Sequence, residues 1–169
     1  TGLGSNQTYG ADAAFGFYQN LSVDGYVAKT STPGVEGDDL SYQGRFNYNG
    51  DRYGARAEYL QVGDNFNPEV GLVRRDDFAR SFGSARFSPR PENIDWVRQF
   101  RWTADFEYLE NGAGQLETRN LRGSFNIEME TSDETGIEAT RSYELLIAPF
   151  RVAPGVFIPH DKSGRHGLA

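Results

Sequence analysis

Between Trp96 and Tyr108 the chain alternates residue by residue. Trp96, Phe100, Trp102, Ala104, Phe106 and Tyr108 share one parity, and Val97, Gln99, Arg101, Thr103, Asp105 and Glu107 the other. Successive side chains of an extended strand point to opposite faces, so this pattern predicts a β-strand with one oily face and one charged face. It also restricts pairing, because a slip of one residue would exchange the two faces along the whole strand.

The pattern recurs. Tyr9, Ala11, Ala13, Phe15 and Phe17 form one apolar row, and Leu21, Val23, Gly25 and Val27 another, facing away from Ser22, Asp24 and Tyr26. Leu40, Tyr42, Gly44, Phe46 and Tyr48 alternate with Ser41, Gln43, Arg45 and Asn47, and Tyr53, Ala55, Ala57 and Tyr59 alternate with Arg52, Gly54, Arg56 and Glu58. Phe78–Phe87 is less regular, with Arg80, Phe82, Ser84 and Arg86 on one parity. Leu121, Gly123, Phe125, Ile127 and Met129 oppose Arg122, Ser124, Asn126 and Glu128. In the segment from Ile137, Glu138, Thr140, Ser142 and Glu144 make the polar face, and Arg141 interrupts the apolar one.

The connections punctuate this series. Tyr18-Gln19-Asn20 predicts a tight turn and residues 30–39 a long polar loop. Asn49-Gly50-Asp51 predicts a type I′ hairpin turn, since Asn-Gly tolerates positive φ. Residues 63–77 form a second long connection, residues 88–93 separate the next two strands, and Asn111–Gly114 and Thr131–Gly136 supply the last turns. The reading is all-β: an antiparallel up-and-down meander of about eight strands, part or all of a transmembrane β-barrel, whose strands alternate apolar-out and polar-in between short and long connections. Residues 1–169 are expected to be a single barrel region and a fragment of a larger barrel, since the tail from Ser163 is polar and lacks the aromatic last residue of an outer-membrane strand; residues 160–169 are left unassigned. Residues 1–10 have neither the basic nor the apolar part of a signal peptide, so the chain reads as mature, trimmed or internal.

Composition removes several functions. The formal charge is −7 with only two lysines, Lys29 and Lys162, which argues against nucleic acid as a partner. No apolar run approaches the roughly 20 residues of a membrane helix. There is no cysteine, hence neither disulfides nor cysteine-ligated metal. The expected surroundings are bacterial outer-membrane lipid, with other chains of a membrane assembly as further partners. The competing reading is a soluble β-sandwich or small barrel that binds a carbohydrate or other ligand, its apolar parity turned inward.

Two segments carry a resemblance. Val62-Gly63-Asp64-Asn65-Phe66-Asn67-Pro68-Glu69-Val70-Gly71-Leu72-Val73-Arg74-Arg75-Asp76-Asp77-Phe78 resembles the most recognisable stretch of a bacterial family that joins an N-terminal family-9 carbohydrate-binding module to a long C-terminal region of unknown function. Ala148-Pro149-Phe150-Arg151-Val152-Ala153-Pro154-Gly155-Val156-Phe157-Ile158-Pro159 is similar to a later element of the same region. The resemblance implies an outer-membrane β-barrel, with channel, scaffold or anchor roles linked to glycan binding or uptake. It covers most of this chain and none of the carbohydrate-binding module, and His160-Asp161 and the tail beyond Gly164 depart from it. It brings no catalytic residues, and a carbohydrate-active role follows from that family context alone.

Within 63–77, Asp64, Asn65, Asn67, Glu69, Asp76 and Asp77 gather oxygen donors of the kind calcium takes, without EF-hand spacing. The plainer reading makes Asp64, Asn65, Asn67, Glu69, Arg74, Arg75 and Asp76 a folded loop that contacts a ligand or partner, its arginines paired with nearby acids. Arg101, Asp105, Glu107, Arg122 and Glu128 are expected to face a barrel lumen, lining or plugging it, or to form a cross-strand charge ladder. Asp105 and Glu107 lie two apart on one strand, a poor basis for a glycosidase pair. Phe100, Trp102, Phe106 and Tyr108 suit either an aromatic girdle in lipid or a sugar-stacking platform. His160 and His166, near Ser163, have no metal or triad spacing. No catalytic residue, cofactor or metal site is therefore expected, calcium in 63–77 excepted.

Overall fold

The computed structural model describes residues 5–35, 37–68, 75–145, 150–153, 156–158 and 162–168. It is all-β: β1 (Gln7–Phe17), β2 (Leu21–Ser31), β3 (Leu40–Asn49), β4 (Tyr53–Val62), β5 (Phe78–Phe87), β6 (Val97–Asn111), β7 (Leu116–Met129) and β8 (Glu134–Leu145) follow one another as an antiparallel meander. The short β9 (Phe150–Ala153) and β10 (Val156–Ile158) pair with each other inside the second resemblance segment, and β11 (Lys162–Leu168) adds to β8. The main sheet is thus nine-stranded, in the order β1-β2-β3-β4-β5-β6-β7-β8-β11, and open at β1 and β11.

Register carries the alternation across the sheet. Phe15 lies opposite Val23, Val23 opposite Phe46, Phe46 opposite Ala57, Ala57 opposite Gly83, Gly83 opposite Phe106, and Phe106 opposite Leu121. All the apolar rows therefore fall on one face. The irregular β5 follows the same rule, with Arg80, Phe82, Ser84 and Arg86 on the polar side, opposite Leu109, Glu107, Asp105 and Thr103.

Several local expectations need correction. Trp96 lies just before β6 rather than in it, and a register shift between Val97 and Gln99 breaks the parity beside it. Such a bulge inserts one unpaired residue and re-aims the side chains beside it. Val97 is consequently buried, and Arg98 reaches Glu128 at 3.0 Å. The β3–β4 hairpin forms where Asn49-Gly50 predicts it, but neither residue has positive φ, so the turn is not type I′. Gly50 is instead suited by space: a Cβ there would lie 2.7 Å from the Tyr48 hydroxyl. Residues 30–39 are not all loop, since β2 runs on to Ser31 and Thr30 is fully buried. Gly136 belongs to β8, opposite Asn126, rather than to the preceding turn. The tail, to which the sequence assigns no element, pairs along β8 as β11 over Lys162–Leu168.

The described residues form almost no conventional core. Among the described residues the buried apolar side chains are Val62 and Val97, while large apolar side chains such as Phe15, Val27, Phe46, Tyr53, Phe87, Trp102, Phe106, Leu121 and Ile137 are exposed on one face.

Candidate functional site

The apolar face has two aromatic rows. At the end carrying the β1–β2, β3–β4, β5–β6 and β7–β8 connections, Tyr53 packs against Phe87 (5.2 Å), Phe87 against Trp102 (5.6 Å) and Trp102 against Phe125 (4.8 Å). Trp102 therefore has an aromatic neighbour on each adjacent strand and stays 40% exposed. Near the other end lie Tyr42, Tyr59, Tyr108 and Tyr143, with Tyr42 and Tyr59 stacked at 5.9 Å. From Trp102 to Tyr108 is about 20 Å along the strand. Between the rows the floor is small: Ala55, Ala85, Ala104, Gly123 and Ala139 are successive cross-strand partners.

The polar face is a ladder of charges. Arg45 pairs with Asp24 at 2.6 Å, and Arg80 spans two strands, holding Glu58 at 3.0 Å and Glu107 at 2.8 Å. Arg101 lies 3.6 Å from Glu128 and 3.5 Å from Glu134, and Arg122 pairs with Glu138 at 2.5 Å. The sequence-predicted Arg101, Asp105, Glu107 and Arg122 therefore share one face, as the alternation requires. Glu107 also accepts a hydrogen bond from Asn120, which leaves it committed to the ladder. Asp105 lines a polar depression with Arg56, Ser84 and Arg122, and among the described residues neither Arg56 nor Asp105 has an ion-pair partner. Replacing Arg80 with Gln leaves the Glu58 and Glu107 carboxylates without their shared cation. We expect a loss of about 1–2 kcal/mol, discounted for partial exposure and read from the urea midpoint.

Sequence reasoning missed Arg86. Its guanidinium donates to the Asp51 and Gly50 carbonyls at 3.1 and 2.6 Å, to Asn49 Oδ1 at 3.0 Å and to Ser88 Oγ at 2.9 Å. The side chain ties two connections together, and nothing in the spacing of these residues announces it. Beside it Arg90 hydrogen-bonds Asp51 and, with its charge, holds that carboxyl below the usual carboxylate range. The lowered value means that the bridge contributes above the unfolded pKa of Asp51 and is lost as pH falls through the folded value. Replacing Arg90 with Gln should raise the Asp51 titration midpoint measured by NMR.

At the opposite end the long connections interlock. The Asn67 amide donates to Thr30 Oγ1 at 3.1 Å, and Asn6 Nδ2 reaches both the Asn67 carbonyl and Thr32 Oγ1 at 2.8 Å. Asp64 Oδ1 accepts from the Asp38 amide at 3.2 Å and from Asn65 Nδ2 at 2.8 Å, while the Asn65 amide donates to the Asp38 carbonyl at 2.9 Å. These oxygens serve the loop's own packing, and the described residues contain no group of three or more acidic, histidine or cysteine side chains placed to hold a metal. Arg75 pairs with Glu117 and sits 5.5 Å from the Phe78 ring, so its predicted acidic partner exists but lies on β7. Asp76 follows it in the connection, and Asp77, with φ of 54°, accepts the Gly112 amide at 3.0 Å. Glu69 and Arg74 lie outside the described residues.

No protein-family model, curated protein or solved structure matches this chain, so what the site can do is read from its own residues.

Proposed function

We propose that the chain forms the wall of a bacterial outer-membrane β-barrel, serving as a channel, scaffold or anchor. The reading rests on one observation: the large apolar side chains lie exposed on a single face, and the described residues supply no second layer to cover them. A soluble sandwich must bury such a face against another element, whereas a bilayer covers it directly. Strands of 10 and 11 residues in β1–β5 suit a tilted membrane crossing of about 9–11. The two aromatic rows fit girdles at the interfaces, and the ladder on the other face fits a wetted lumen. On this reading the free edges of β1 and β11 close on each other or through further strands, since unpaired backbone groups in hydrocarbon cost several kcal/mol each.

The interlocked connections around Thr32, Asp38, Asp64 and Asn67 then form an outer rim, and the depression at Arg56 and Asp105 a point on the inner wall where small polar or charged solutes pass or pause. A link to glycan handling comes from the family resemblance and suits that wall.

The test is electrophoretic mobility of the parent protein from purified outer membranes, in mild detergent with and without boiling. A shift on boiling is expected. A single unshifted species recovered from the soluble fraction would instead make the apolar face a covered core and favour a soluble ligand-binding domain.

A further inference from the structure

Two arginines stand on the apolar face, and neither has an acidic partner among the described residues. Arg119 lies opposite Tyr108 on one side and Tyr143 on the other, with its guanidinium carbon 5.9 Å from the Tyr143 ring centroid. Arg141 lies opposite Leu121, one step along β8 from Tyr143, which makes it the diagonal neighbour of Arg119. Diagonal neighbours across an antiparallel pair sit about 7–8 Å apart, so two guanidinium groups can reach one anion. Arg141 is exposed, and it borders an apolar groove floored by Ala104, Gly123 and Ala139 and walled by Phe106 and Leu121.

An unpaired cation is expensive on a face otherwise made of Ala, Gly, Leu and Phe. Carried near an interfacial tyrosine row, its stem lies along the apolar surface while its head extends to the headgroup level. A single guanidinium there would need no more than water. Two of them in adjacent rows, beside an apolar groove between the aromatic rows, fit a molecule with an anionic head and apolar tails.

We propose that Arg119 and Arg141 hold the phosphate of a membrane lipid whose acyl chain lies in the Ala104–Gly123–Ala139 groove. The proposal rests on the membrane reading above. The contacts are charge-assisted hydrogen bonds from two planar forks to phosphate oxygens, and Tyr108 and Tyr143 flank the head. The site thus selects a phosphate monoester or similarly exposed phosphate over a zwitterionic choline head.

The experiment uses the full chain refolded into phosphatidylcholine vesicles doped with spin-labelled phosphatidic acid or spin-labelled phosphatidylcholine, with motionally restricted lipid measured by electron paramagnetic resonance. Wild type should prefer phosphatidic acid, and R119Q/R141Q should reduce that preference by about fivefold for each arginine removed. R52Q/R90Q, which removes two arginines from turns and loops at the opposite end, should leave it intact. Equal preference in wild type and R119Q/R141Q, with both giving the heat-shifted band in those vesicles, would overturn the lipid site and leave the membrane reading standing. Preference lost equally in R52Q/R90Q would reduce the effect to net charge and also overturn it. Failure of wild type to enter vesicles of either composition would sink both proposals together.

Discussion

Replacing Ala104 with Arg should prevent or strongly weaken insertion, lowering folding stability in vesicles by about 2–4 kcal/mol, the cost of a cation near the bilayer midplane. Ala104 lies between the Phe87–Trp102–Phe125 row and the Tyr59–Tyr108–Tyr143 row, on the small-residue floor of the face that the membrane reading sets in hydrocarbon. The matching change on the other face, Asn47 to Glu, sets an acid opposite Arg56 and should shift stability by no more than about 1 kcal/mol. Urea titration of the heat-shifted band reads both. If the order of the two variants is reversed, the faces have been assigned the wrong way round. If Ala104→Arg is tolerated in a chain that stays in aqueous solution, the apolar face is not in lipid.

The second large effect concerns two glycines that face each other across β2 and β3. A Cβ built on Gly25 would sit 2.5 Å from the Gln43 carbonyl oxygen, a backbone atom that cannot move without the strand, whereas one built on Gly44 meets nothing within 4 Å. Gly25→Ala should therefore cost about 1–3 kcal/mol through displacement of the ladder, while Gly44→Ala should be neutral or slightly stabilising. Equal effects from the two would mean that the ladder yields at Gly25 without cost. The two residues look alike in the sequence and differ only in how closely the neighbouring backbone approaches.

That contrast defines what could be read before the fold was known. Alternation is a property of the strand itself, so the faces, the strands from Tyr9 to Leu145 and the shared side of Arg101, Asp105, Glu107 and Arg122 were legible in residue order. The causes of departures from alternation were not. The bulge between Val97 and Gln99 is marked in the sequence by Arg98 on the apolar parity and Val97 on the polar one, but its cause becomes visible only when β7 is laid beside β6. Asn49-Gly50 marks the hairpin correctly and its geometry wrongly, because the Tyr48 side chain and the four carbonyl and side-chain acceptors of Arg86 decide the turn. Thr30 reads as a polar loop residue and is instead a strand residue gripped by Asn67. Arg119 precedes the recognised start of its strand at Leu121, so its position on the apolar face emerged only when β7 proved to begin at Leu116.

With Val62 and Val97 as the buried apolar side chains among the described residues, water offers this sheet little reason to assemble. Expelling solvent from an interior is the main favourable term in making a globular domain, and that interior is nearly missing here. On the membrane reading, the driving force comes from the surroundings instead, and acquiring shape and entering the bilayer are a single event. On the same reading, the polypeptide before that event exposes Phe, Tyr and Trp side chains that favour aggregation, so its unfolded lifetime, more than its final stability, would set how much of it inserts.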